Sequence, residues 1–182
     1  MIRRPYGLVL GRFQPLHVGH MEFLNAAKLR CELLIIGVTN PDIRNIEFHA
    51  SDPKRSRDAN NPYSFFRRHQ MIDRSLRLQG WRPEDFAIIP AEIANTHALA
   101  ALLPPPQHMV VLATVYDEWG EEKIRRMRGH DFIVEVMWKR QMSERVTSGT
   151  EIRRLMSEGG TWQHLVPPGI AEAMQPRDGE LI

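Results

Sequence analysis

A single cysteine, Cys31, stands among 182 residues, so no internal disulfide framework holds this chain together and its fold must rest on a packed core. No apolar run approaches the roughly 18 residues that a membrane-spanning helix needs, and residues 1–5 carry arginines with no apolar stretch behind them, unlike a secretory leader. Charge of one sign is also missing. The 24 basic and 22 acidic residues are interspersed and leave a formal net charge of +2, so there is no basic stripe for nucleic acid. These absences predict a cytoplasmic protein that binds neither membrane nor nucleic acid.

What is present is an ordinary globular composition, 42% hydrophobic and 25% charged, enough for one domain over residues 1–182, with no internal repeat or linker. The polar tail from about residue 176 is expected to be loosely ordered. Apolar runs without alternation at 6–10, 31–38, 86–90, 109–113 and 132–137 read as strands buried on both faces. Helical spacing lies between them at 21–29, 97–103 and 121–127, and also behind the N-cap Ser64, where Phe65, His69, Ile72 and Leu76 share one face as far as Gly80. Ser148-x-x-Glu151 is a capping box for a further helix that ends at Gly159-Gly160, and Trp162, Leu165 and Ile170 close the domain. Alternating buried strands and helices predict right-handed crossovers and a doubly wound, Rossmann-like α/β fold: a parallel five-stranded sheet with helices on both faces. Residues 40–62 show no period and read equally as a lid or a solvated excursion.

The chemistry concentrates where the first strand ends. His17 and His20 stand three apart at the start of a helical segment, on one face of a first turn whose unpaired N–H groups already favour an anion. Zinc would need a third ligand at workable spacing, and the single cysteine, Cys31, lies in a buried-looking strand. Gly11 and Gly19 let backbone approach a ligand, and Arg12 adds a fixed cation. This is a phosphate site. Tyr116 and Trp119 follow the fourth strand, at the end of a parallel sheet where ligands bind, and their faces suit a base or pyridine ring.

Gly11-Arg12-Phe13-Gln14-Pro15-Leu16-His17-Val18-Gly19-His20 resembles the G-R-F-Q-P-x-H-x-G-H signature of the nucleotidyltransferase superfamily, in the form carried by archaeal-type nicotinamide mononucleotide adenylyltransferases. Thr147-Ser148-Gly149-Thr150-Glu151-Ile152-Arg153-Arg154 resembles the S-x-T-x-I-R signature, and Asn61-Pro62-Tyr63-Ser64 running into Arg67 is similar to the N-P-F-T-x-x-E-R helix start. The resemblance implies adenylyl transfer from ATP to nicotinamide mononucleotide, giving NAD and pyrophosphate, with Mg²⁺ carried mainly by the nucleotide phosphates and with possible homo-oligomers. His17, His20, Ser148, Thr150 and Arg153 are then the catalytic candidates, and Gly11, Arg12, Phe13, Gln14, Gly19, Tyr116, Trp119 and Gly149 the nucleotide contacts. Asn40, Arg67, Asn95 and His97 are the candidate contacts to a small phosphate-bearing acceptor.

Two alternatives stand beside this expectation. Tyr116-Asp117-Glu118-Trp119 is similar to cytidylyltransferases of the same superfamily, which use CTP on small phosphorylated or phosphonate substrates. A chain that kept the fold and lost turnover would be a nucleotide-binding sensor. The basic segment from Lys139 to Arg145 is given no role, because a K-M-S-K-S loop of the aminoacyl-tRNA synthetase kind would require a tRNA-binding domain for which no length remains.

Overall fold

Five short strands rich in Val, Ile and Leu form the centre of the molecule. They are β1 (Arg4–Gly11), β2 (Cys31–Thr39), β3 (Phe86–Ala91), β4 (Met109–Val115) and β5 (Val134–Lys139). The computed structural model describes residues 3–44, 46 and 60–174. All neighbouring strands run parallel, in the order β3-β2-β1-β4-β5. The chain therefore winds outward from β1 through β2 to β3, then returns to place β4 on the other side of β1. Such a reversal opens a crevice outside the carboxyl ends of the two central strands.

Among the described residues, six α-helices cover the sheet: α1 (Val18–Lys28), α2 (Phe65–Leu78), α3 (Thr96–Ala101), α4 (Glu118–Arg128), α5 (Gly149–Ser157) and α6 (Ile170–Met174). Strand side chains alternate between two cores. Val9, Leu34, Ile36 and Leu112 pack on one face with Leu24 of α1, Ile72 of α2, Ile152 of α5 and Ile170 of α6. Leu8, Leu10, Ile35 and Val111 pack on the other with Leu99 of α3 and Trp119 and Met127 of α4. The doubly wound α/β fold expected from the sequence is the one observed. Among the described residues, no helix is long and apolar enough to cross a membrane.

Several boundaries differ from expectation for local reasons. The helix expected at 121–127 begins at Glu118, because the Asp117 carboxylate accepts from the Gly120 N–H at 2.9 Å and caps it earlier. The fifth strand starts at Val134, two residues late, and Phe132 fills the core instead at 4% exposure. Only half of the expected capping box forms: the Ser148 hydroxyl accepts from the Glu151 N–H, whereas the Glu151 carboxylate accepts from the Thr147 hydroxyl. His69 is half-buried, edge-on to the Phe65 ring, and the fully buried charged residue of α2 is its neighbour Arg68. The possible lid falls largely on residues 45 and 47–59, and the loose tail on residues beyond 175, which lie outside the described residues.

The site is assembled by docking the N-terminus of α5 onto the turn that follows β1. A Cβ on Gly149 would collide with the carbonyl oxygen of Gln14 and stand 2.9 Å from its carbonyl carbon. Overpacking of this kind costs about 1–3 kcal/mol. Gly149→Ala is therefore expected to lower the melting temperature by about 2–4 °C for each kcal/mol. An unchanged calorimetric transition would show that the two segments are not in contact.

Candidate active site

The helix α1 is capped by a histidine rather than by Ser or Asp. His17 is extended (φ −143°, ψ 169°), and its Nδ1 accepts from the His20 N–H at 3.2 Å. In return His20 Nδ1 accepts from the His17 N–H at 3.3 Å. Because both Nδ1 atoms accept, each neutral ring must carry its proton on Nε2. The rings stack with centroids 3.6 Å apart, and Phe13 stands 4.8 Å from His20. Gly19 leaves room for this stack, since a Cβ there would lie 3.3 Å from His17 Nδ1.

Burial, helped by the Arg145 charge, pushes the His17 pKa down to about 3. That of His20 is also far below the usual range, first through burial and then through His17, Arg145, Arg12 and Lys123. Both imidazoles are therefore neutral near pH 7, and each presents one N–H donor.

The second half of the site comes from α5. Its N-terminus is capped by Ser148, and one turn later Arg153 donates through Nη1 to the Gln14 carbonyl, with Nη2 on Asn60 Oδ1 at 2.7 Å and on Thr150 Oγ1 at 3.3 Å. The amide of Gln14 is engaged as well: it donates to the Tyr63 carbonyl at 2.9 Å and accepts from the Tyr63 N–H at 3.0 Å. All three motifs found in the sequence therefore meet at one residue.

Between these halves lies one open cavity of about 250 Å³, lined by Gly11, Arg12, Phe13, Gln14, His17, Gly19, His20, Tyr116, Trp119, Ser148, Gly149, Thr150 and Arg153. Every catalytic and nucleotide-contact candidate is on its wall. The two aromatics differ in what they offer. Trp119 is only 6% exposed and packs in the outer core, which removes its face from a base. Tyr116 stays at the rim, its ring covered by the Arg145 guanidinium at 4.4 Å.

The acceptor candidates separate. Asn40 is buried just past the end of β2, beside the cavity but not on its wall. Arg67 is half-buried and does not line the cavity, and the arginine of α2 that points inward is Arg68. Asn95 and His97 are exposed and do not line it either; the Asn95 side chain caps α3 by accepting from the Ala98 N–H.

Two wall cations are not among the residues expected from the sequence. Lys123 reaches in from α4, its Nζ 3.5 Å from the Leu10 carbonyl. Arg145 enters from the basic segment that follows β5, held by Asp117 at 3.6 Å. The charge of that segment is the available signal for Arg145. Lys123 gives none, since it is one cation among several on a polar helix. With Arg12 and Arg153, four cations from four segments surround two neutral donors and a helix N-terminus. Such an arrangement binds a polyphosphate and stabilises charge that develops on it.

Comparison with known proteins fits this chemistry. The cytidylyltransferase-like family model matches residues 8–155. Phosphonoformate cytidylyltransferase from Streptomyces viridochromogenes is 38% identical over 169 residues, 93% of this chain and 90% of that protein. Nicotinamide-nucleotide adenylyltransferase from Pyrococcus furiosus is 30% identical over 169 residues, 91% of this chain and 80% of that protein. In fold, the chain is similar to a bifunctional NMN adenylyltransferase/ADP ribose pyrophosphatase from Francisella tularensis, with a TM-score of 0.62 and 19% identity over 90% of this chain, which spans 45% of that one. The residues around the cavity are thus those of a nucleotidyltransferase, and the chain belongs to the cytidylyltransferase-like family.

Proposed function

We propose that this enzyme transfers the CMP group of CTP to an oxygen of a small phosphonate or phosphate acceptor and releases pyrophosphate. The observation that carries the transfer reaction is the stacked, neutral His17/His20 pair sharing one cavity with Arg153. The choice of CTP and a phosphonate is supported by the 38% identity over nearly the whole chain with phosphonoformate cytidylyltransferase. Adenylyl transfer from ATP to nicotinamide mononucleotide, the first expectation from the sequence, becomes the second reading, favoured by the 28–30% identity with adenylyltransferases.

In this reading an acceptor oxygen attacks the α-phosphorus in line. The new P–O bond forms as the bond to the bridging oxygen breaks, and pyrophosphate leaves with the electron pair. The attacking oxygen already carries charge at pH 7, as a phosphate monoester does with a second pKa of about 6, so no general base is needed. The histidines could not serve as one, because each Nδ1 is engaged by a backbone N–H and each Nε2 holds a proton. They donate Nε2–H to phosphate oxygens as charge moves onto the leaving group, while Arg12, Lys123, Arg145 and Arg153 hold the triphosphate.

Mg²⁺ enters as part of the nucleotide substrate. The cavity's carboxylates suit an ion bound that way rather than a resident one: Glu22 is paired with Arg140, and Asp117 caps α4 and faces Arg145. Among the described residues no cluster of three His, Cys, Asp or Glu forms a cage.

Pyrophosphate release measured with CTP or ATP, each paired with phosphonoformate or nicotinamide mononucleotide, tests the assignment. Turnover is expected with CTP and phosphonoformate. Turnover confined to ATP and the mononucleotide would establish the second reading, and nucleotide binding without turnover of any pair would leave a sensor.

His20→Ala removes one aimed donor and is expected to lower kcat by about 10²–10³. A variant changed only in KM would contradict that role.

Titration supplies another check. The folded pKa of His17 is about 3 and its unfolded value about 6.5, so the unfolded chain binds more protons between them and stability must fall as pH drops through that window. The kcat profile should show no limb near pH 6.5 beyond the one set by ionisation of the acceptor, and the melting temperature should fall between about pH 6.5 and 4, less steeply in His17→Gln. An acidic limb in kcat near 6.5 that stays in place when the acceptor is exchanged for one of different pKa would mean that a histidine titrates and acts as a base.

A further inference from the structure

Arg68 has no part in the reaction as described, yet it is the largest of the fully buried side chains, at 0% exposure. Its guanidinium is met by backbone carbonyls. Nη1 donates to the carbonyls of Arg12 at 2.9 Å and Thr39 at 2.7 Å, Nη2 to that of Asn40 at 2.7 Å, and Nε to that of Ser64 at 3.3 Å. Burial, with the neighbouring Arg12 charge, holds its pKa down to about 10. A buried guanidinium held by carbonyls rather than by a carboxylate is costly to keep, and a position meant only for packing would take Leu or Met at less expense to the fold.

Three of those carbonyls belong to the carboxyl ends of β1 and β2, where one residue is held in an unusual state. Asn40 has φ +52°, in the left-handed region that Asn tolerates better than most residues. Its side chain is 5% exposed, and Nδ2 has no hydrogen-bond partner among the described residues. A buried donor left without a partner in a native fold calls for an explanation. The cationic cavity extends along β1 toward β4, whereas Asn40 lies on the β2 side, two residues past Val38, the partner of Gly11. A single guanidinium reaches the backbone of both Arg12 and Asn40. The anion that attacks the α-phosphorus needs its own donor, distinct from those gripping the triphosphate.

We propose that Arg68 is a positioning residue for the acceptor: by gripping the carbonyls of Arg12, Thr39 and Asn40 it fixes Asn40 in its left-handed conformation, so that the buried Nδ2 amide donates to the anionic acceptor group. This rests on the reading of the site as a nucleotidyltransferase with a phosphonate or phosphate acceptor. The role predicts a split between the two substrates. With whichever acceptor the wild-type enzyme turns over, Asn40→Asp and Arg68→Met raise the KM for the acceptor by about tenfold or more, the size of one lost hydrogen bond to a charged group, and leave the KM for the nucleotide essentially unchanged. Arg68→Lys falls between, because an ammonium keeps the charge but cannot fork across three carbonyls.

An unchanged acceptor KM in Asn40→Asp overturns the proposal. So does an equal rise in both KM values in Arg68→Met, which would mark a merely structural role. If Arg68→Met does not fold, Asn40→Asp carries the test. A wild-type protein that turns over no nucleotide and acceptor pair fails the reaction assignment but still tests this inference. Phosphonoformate is then titrated into ¹⁵N-labelled protein saturated with CTP, and the Asn40 side-chain amide resonance, identified by its loss in Asn40→Asp, must move. A resonance that stays in place at saturation refutes it.

Discussion

The structure depends on the backbone and side chain of Gln14. Its carbonyl receives the Arg153 guanidinium and leaves no space for a side chain at residue 149, while its amide forms a reciprocal pair with the Tyr63 backbone. Gln14 is 4% exposed, so these hydrogen bonds form where water competes poorly and unmade ones are costly. Segments far apart in sequence are thereby fixed against the end of β1. The histidines need this support, because their mutual capping sets their orientation only relative to α1, and α1 must be held against α5 for Nε2–H groups and guanidinium to address one ligand.

A second consequence is electrostatic. Burial lowers the pKa values of Arg68, Arg153 and both histidines most; after it, Arg12 lowers those of the two arginines and Arg145 those of the two histidines. Without ligand the site is therefore self-repelling, and its donors are fixed mainly by backbone contacts rather than by carboxylates that a phosphate would have to displace. On the proposed function, a triphosphate relieves this repulsion at donors that are already in place, which is what preorganisation means in an anion site. Neutral histidines follow first from burial and then from the same field, in which Arg145 opposes a proton on either ring. Their contribution is directional hydrogen bonding, supplied in surroundings that make such bonds strong.

Much of this is legible in the order of the residues alone. The unbroken apolar strands specify a parallel sheet, and the two signatures identify cavity residues that topology then brings together. The missed residues share a cause. Lys123 is one cation among several on a polar helix, and its spacing does not show that it reaches the Leu10 carbonyl at the end of β1. Arg145 sits in a segment with no regular period, and its place depends on the chain crossing back after β5. Arg68 is a charge inside an apolar stripe, and only the facing carbonyls show why it is tolerated there. Asn95 and His97 lie off the cavity wall for a topological reason: they follow a strand end, but β3 is at the edge of the sheet, away from the crevice beside β1.

The donor base is not legible in the motifs for a physical reason that the geometry makes plain. The residues of the two signatures that reach the cavity address phosphate or backbone, and phosphate is common to CTP and ATP, so proteins that use either can carry the same cradle. On the proposed function, discrimination between the bases is made beyond it, where the wall carries the Tyr116 ring under the Arg145 guanidinium. These two residues come from different strand ends, and their stacking is a product of the β4–β5 pairing rather than of any local pattern.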